Sequence, residues 1–139
     1  GGLQAALGIS QSKNLKSVIE KKIRQGHIYD EFLSEVNQIT LPLKNTSTSK
    51  NHYWVYGIVL KEKNRDELQN YLLSNGIQTR KFFWPLHLQN ALPKEYKTNE
   101  TLSVSENLGN NGLYLPIGDH INKKDQKFIS NKIKNFFIQ

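Results

Sequence analysis

Residues able to do chemistry concentrate in one stretch, Thr79–His87, with the sequence TRKFFWPLH. Arg80 carries a planar guanidinium that can grip phosphate or carboxylate through two parallel hydrogen bonds. The imidazole of His87 can serve as a neutral donor and acceptor, or as a cation beside phosphate. Together these two side chains suit a phosphorylated ligand, with Phe83 and Trp84 as a pocket wall. Composition leaves a second reading open. In it the stretch is an amphipathic edge strand leading into a turn, His87 caps backbone carbonyls, and the rings belong to the core. Pro85 has no amide hydrogen and fits an edge or turn in either case.

Other chemistries lack their residues. There is no cysteine, which removes disulfides, zinc–thiolate sites and thiol nucleophiles. His27, His52, His87 and His120 are scattered and show no metal-binding spacing. No glycine-rich dinucleotide or ATP phosphate cradle occurs, and no GxSxG nucleophile turn. By motif, these 139 residues do not make a complete enzyme. The net charge of +7 comes from lysines spread along the chain. The tightest groups, Lys21–Lys22–Arg24 and Lys123–Lys124–Lys127, fall inside helix patterns, so a solvated surface is the simplest account. No signal-peptide pattern or spanning apolar run is present, and a cytoplasmic protein is expected. The chain has no methionine and begins GGLQAALG, from which we expect a processed chain or an excised piece.

The elements that must position the TRKFFWPLH stretch follow from periodicity and capping. Leu3–Gly8 holds good helix formers, weakened by Gly8 and Ser10. From Leu15 to Val36 apolar residues recur at helical spacing on one broad face, through Leu15, Val18, Ile19, Ile23, Tyr29, Phe32, Leu33 and Val36. Gly26, inside that pattern, permits close packing or a bend. Residues 37–51 read as a loop, with a short extended piece at Ile39–Leu43. His52–Leu60 is dense in aromatic and β-branched residues and reads as a central strand with both faces covered. Tyr53, Trp54 and Tyr56 are accordingly assigned to the core. Asn64, with Glu67 three residues on, fits a capping box for a helix over 65–75. Leu68, Tyr71 and Leu72 form its buried side. Gly76 suits a left-handed cap, and Ile77–Trp84 resumes as extended chain. Arg65 is expected to serve the first turn of its helix or an inter-domain contact.

Beyond the aromatic run, residues 89–102 are loop-like. Ser103–Asn110 fits a short helix with Val104 and Leu108 inward, and Asn110–Gly112 is a turn signal. Leu113–Ile117 reads as a short strand whose proline favours an edge. Asn122 caps the last helix with Asp125 at its third position, and Phe128, Ile129, Ile133, Phe136 and Phe137 form its apolar stripe. The expected fold is α/β, with a long N-terminal helix and a small, mostly antiparallel sheet packed by helices on one face. We expect one domain over 1–139, comprising a helical region 1–36, a loop 37–51 and an α/β core 52–139.

The order of short motifs resembles the C-terminal part of the DegT/DnrJ/EryC1/StrS sugar aminotransferases, which are pyridoxal-phosphate enzymes of aspartate-aminotransferase type. Leu3–Gly8 (LQAALG) is similar to the family's LQAAxG entry to the helix joining its two domains. Tyr29 and Leu33 match residues near that helix's end. Tyr53–Leu60, then Arg65-Asp66-Glu67-Leu68, Leu72 and Gly76-Ile77-Gln78-Thr79-Arg80, follow its strand, RDEL helix and GIxTR strand. Phe83-Trp84-Pro85-Leu86-His87 matches its F-aromatic-P-L-H run. Tyr96 and Leu113-Tyr114-Leu115-Pro116 resemble later positions. The TRxFFxPLH form is most similar to perosamine-synthase-like members. Two positions depart from the pattern, Ile23 where an arginine is common and Gly26 where alanine is usual.

The resemblance implies transfer of an amine, with glutamate as donor, to a nucleotide-linked keto-deoxy sugar destined for surface polysaccharide. It implies a homodimer and pyridoxal phosphate in the full-length enzyme. The large domain that supplies the aldimine lysine is not represented in these residues. Residues 1–139 are therefore expected neither to bind the cofactor covalently nor to transaminate alone. No catalytic or metal-binding residue is expected here. Arg80, His87, Phe83 and Trp84 are the expected substrate-side residues. Two other readings are weighed against this one, a basic nucleic-acid-binding module and a purely structural or dimerisation domain. Scattered lysines speak against the first. A buried Trp84 and His87 would favour the second, and their exposure on a concave face the enzyme.

Overall fold

The computed structural model describes residues 1–62, 64–93, 95, 97 and 100–138. Two helices open the chain, α1 (Gly2–Ser12) and α2 (Leu15–Leu33), separated by a turn at Lys13 and Asn14. A four-stranded antiparallel sheet follows, built from β1 (Ile39–Thr40), β2 (Tyr56–Leu60), β3 (Arg80–Lys81) and β4 (Gly112–Leu115). Its order is β1-β2-β4-β3. Helix α3 (Arg65–Ser74) lies between β2 and β3 in sequence, α4 (Ser103–Asn111) runs directly into β4, and α5 (Lys123–Ile138) closes the chain.

Strand periodicity sorts the sheet into two faces. Tyr56, Ile58 and Leu60 of β2, with Leu113 and Leu115 of β4, are buried in the core. They pack with Tyr29 and Leu33 of α2, Leu68 and Leu72 of α3, and Ile129, Ile133 and Phe136 of α5. Gly57, Gly112 and Tyr114 point the other way. The Phe82 ring lies over them, stacked on Tyr114 with centroids 4.3 Å apart. A Cβ at Gly57 or Gly112 would fall 2.5 or 2.2 Å from that ring, so glycine is what lets Phe82 lie flat on the sheet.

Local signals hold at several helix ends. Asn64 caps α3 by accepting from the Asp66 amide at 2.8 Å, without the capping box expected with Glu67. Gly76 has φ of 76°, with Gly76 N donating to Leu73 O and Ile77 N to Leu72 O, a Schellman cap. Asn122 and Asp125 exchange side-chain and amide bonds of 2.9 and 3.1 Å, closing a capping box on α5.

Other expectations change. The strand expected from His52 begins only at Tyr56, because Tyr53 turns into the left-handed region at φ 51°. The extended run over 77–84 pairs only at Arg80 and Lys81. The 113–117 strand is not an edge: β4 lies between β2 and β3, with Pro116 just beyond its end. Val104 and Leu108 face outward, and the buried residue of α4 is Gly109, against which the Pro85 ring packs. Leu15, Val18 and Phe128 are also exposed. No helix among the described residues is long and apolar enough to cross a membrane.

Candidate functional site

The register of the sheet puts Arg80 opposite Tyr114, and Tyr114 opposite Gly57. Cross-strand partners share a face, so Arg80 stands on the face opposite the buried core. Its guanidinium lies 5.3 Å from the Phe83 ring centroid, within cation–π range. Among the described residues no carboxylate pairs with it. Phe83 is 61% exposed and Trp84 47%. The Trp84 indole donates to Leu88 O at 3.3 Å, and the Gln89 amide donates to Trp84 O at 3.0 Å. These bonds brace a short 3-10 turn at Leu86–Leu88.

A cavity of about 720 Å3 opens at the end of the sheet. Arg80, Tyr114, Trp54, His120 and Phe128 are among its lining residues. That size suits a small-molecule ligand. Phe83, Trp84 and His87 do not line it. The His87 Nε2 lies 3.1 Å from Glu106 Oε1, and its side chain is 9% exposed. The structure thus brings Arg80 and Phe83 together, leaves Trp84 half open beside them, and ties His87 to α4. Tyr96 lies outside the described residues.

Arg65 serves the first turn of α3 through Asp66, and it also reaches much farther. It is buried, and its Nη1 donates to Gly109 O at 3.1 Å and Gly112 O at 3.4 Å. A cation thus satisfies carbonyls at the end of α4. Asp66 joins Arg65 to Lys81, the latter at 2.9 Å. Those two hydrogen bonds, Lys81 first, hold the Asp66 carboxyl below its ordinary range. Through these contacts the start of α3 fixes both β3 and the α4–β4 junction that underlies Pro85.

Trp54, assigned to the core by its neighbours, is 77% exposed. Tyr53 and Tyr56, on either side, are buried. Tyr53 Oη donates to Asp30 Oδ2 at 2.9 Å and Tyr56 Oη to Asp30 Oδ1 at 2.7 Å. Asp30 is itself buried, with Lys44 Nζ 3.7 Å away. Burial, then the hydrogen bond and charge of Asp30, push both phenols up. No local signal marks this arrangement, because Asp30 is more than twenty residues from either tyrosine.

Several lysines of the basic surface have partners. Lys21 pairs with Asp119 at 2.8 Å, and Lys22 Nζ lies 3.4 Å from the carbonyls of Trp54 and Ile117. Burial lowers the Lys22 ammonium, against the opposing charge of Asp119. No cluster of potential metal ligands occurs among the described residues.

A model of the DegT/DnrJ/EryC1/StrS aminotransferase family matches residues 2–134. The chain is 30% identical over 141 aligned positions to a GDP-perosamine synthase from Vibrio cholerae, covering 97% of this chain and 37% of that protein. It is 25% identical to a GDP-perosamine synthase from Escherichia coli O157:H7, covering 96% of this chain and 35% of that protein. A solved DegT DnrJ EryC1 StrS aminotransferase from Brucella abortus superposes with a TM-score of 0.78 at 28% identity, over 92% of this chain and 33% of that one. S. venezuelae DesV, solved in complex with a ketimine intermediate, superposes with a TM-score of 0.86 at 23% identity, over 98% and 36%. The chain spans about a third of the length of the curated relatives it matches.

Proposed function

From its membership of the DegT/DnrJ/EryC1/StrS aminotransferase family, to which this chain belongs, we propose that residues 1–139 form one domain, the substrate-side part of a cytoplasmic nucleotide-sugar aminotransferase. The whole enzyme moves an amino group from glutamate to a nucleotide-linked keto-deoxy sugar and works as a homodimer. In this reading the domain lends one wall to the sugar-nucleotide site. Arg80 binds phosphate, Phe83 and Trp84 shape the wall, and His87 completes it from its seat on Glu106.

The observation that carries the proposal is Arg80. It is exposed, free of carboxylates among the described residues, held over Phe83, and set in the wall of the cavity of about 720 Å3. A guanidinium oriented by an aromatic face loses little freedom when it grips phosphate.

Pyridoxal phosphate would supply the electron sink for amine transfer in the whole enzyme. The residues of this cavity do not fit it. None of the side chains lining the cavity is a lysine, so the tethering amine is not among them. The cofactor's attachment belongs to the remainder of the enzyme.

The test is kinetic, in an active enzyme that contains residues 1–139. Arg80→Ala and His87→Ala should raise KM for the sugar nucleotide more than KM for glutamate. Sugar kinetics unchanged in both variants would overturn the assignment.

A further inference from the structure

We infer that Trp54 is a ligand-contact residue, its indole stacking on the base of a nucleotide whose phosphates are taken by Arg80 on the same cavity. The inference rests on the reading of that cavity as a sugar-nucleotide site and names a second contact within it.

The surroundings of Trp54 are unusual for an exposed side chain. The backbone beneath it is held from several directions. Tyr53 N donates to Asn51 Oδ1 at 2.8 Å. The hydroxyls of Tyr53 and Tyr56 both end on Asp30. Lys22 Nζ approaches the Trp54 carbonyl at 3.4 Å. Tyr53 is the one non-glycine residue with positive φ among the described residues. Its ring occupies the space where a Cβ of Gly26 would stand, 2.4 Å from the nearest ring atom. Strain of this kind persists only where the surroundings enforce it, and it points to function. The outcome is a large apolar ring, 77% exposed, on a backbone that cannot swing it inward.

The ring borders two adjoining cavities, of about 720 and about 430 Å3, which share Trp54, Val55 and Tyr114. Trp54 therefore stands in the middle of one trough with Arg80 in its wall. A nucleoside diphosphate matches that pairing. Its base offers a π-face to an indole, and its phosphates offer oxygens to a guanidinium. Asp125 also lines the larger cavity, but its carboxylate is engaged by the Asn122 amide at 2.9 Å.

The chain has two tryptophans, so 19F NMR of the 139-residue chain labelled with 5-fluorotryptophan gives two signals, assigned by Trp54→Phe and Trp84→Phe. Titration with GDP should move the Trp54 signal. Trp54→Ala should weaken GDP binding about tenfold or more and leave binding of inorganic pyrophosphate unchanged. Trp54→Phe should recover most of the loss. Arg80→Ala should weaken both ligands. If Trp54→Ala leaves GDP affinity intact while Arg80→Ala lowers it, the inference fails and the proposed function stands. If GDP binds without regard to either residue, both fail; if the 139-residue chain alone does not bind it, the same Trp54→Ala and Arg80→Ala comparison is read as KM for the sugar nucleotide in an active enzyme that contains residues 1–139, where no change in either variant overturns both. Trp54 is exposed, so its replacement leaves the core in place.

Discussion

Two aromatic runs lie on this sheet, and each sends rings to opposite sides by different means. In 53–56, Tyr53 and Tyr56 are buried and Trp54 is not. In 82–84, Phe82 lies over the sheet while Phe83 and Trp84 are open. The first run is anchored by hydrogen bonds to one buried acid, Asp30. The second is anchored by shape, a ring lying on two glycines. Polar anchors in a low-dielectric interior fix direction sharply but are costly to break. A stacked ring is held by area and packing, and gives way more gradually.

The largest effect should therefore come from Asp30. Asp30→Ala leaves two buried hydroxyls without their acceptor and should cost about 3 kcal/mol or more, a fall in Tm of roughly 10 °C for a chain of this size. Asp30→Asn keeps one acceptor oxygen and should cost less. A loss from Asp30→Ala no greater than that of a surface substitution would show that the acid does not anchor this run. High pH attacks the same anchor. Tyr29, Tyr53 and Tyr56 all have hydroxyls pushed above their ordinary value, by burial first in each case. The folded state then holds these protons more tightly than the unfolded chain. Their contribution is intact below about pH 10, the unfolded phenol value, and is lost as pH rises above it. Denaturant unfolding between pH 9 and 12 should show a steep decline, one that is shallower in Tyr56→Phe.

These two runs also mark how far the sequence could be read. The caps at Asn64, Gly76 and Asn122 depend on residues within a few positions of one another, and each forms. So does the mixed fold with helices on one face, because apolar periodicity is local. Arg80 and Phe83 were identifiable as a cation beside aromatics, and they do meet. Tyr53 and Trp54 were not legible. Continuing the strand back to His52 is the local preference of HYWVYG. It is overruled by Asp30 and Gly26, which α2 brings against Tyr53 from more than twenty residues away. The longer reach of Arg65 was hidden for the same reason, since two of its acceptors belong to Gly109 and Gly112. The pairing of His87 with Glu106, nineteen residues apart, likewise has no local mark.

The shape-held run should respond to crowding. Gly57→Ala places a Cβ 2.5 Å from the Phe82 ring and should cost about 1–3 kcal/mol. In a Phe82→Ala background most of that cost should vanish, because the ring no longer competes for the space. A double-mutant cycle reads this coupling directly. Additive costs would mean that the ring does not depend on the glycine, and the contrast between the two anchors would collapse.

The smallest effect should come from Glu106, a polar tie just beyond the end of the second run. Its Oε1 accepts from Leu102 N at 3.0 Å and meets His87 Nε2 at 3.1 Å, so it both caps α4 and seats the turn after Pro85. The His87 side chain is 9% exposed and that of Glu106 29%. A partly exposed pair of this kind contributes about 1 kcal/mol or less, so Glu106→Ala should barely lower Tm. Its effect should be local instead. Amide exchange should quicken at Leu102 and across Leu86–Leu88, while the amides of α2 and α5 keep their protection. His87→Ala should quicken the 86–88 amides and spare Leu102. If Glu106→Ala instead destabilises the whole chain as strongly as Asp30→Ala, the second run is anchored by charge after all, and shape is not what distinguishes it from the first.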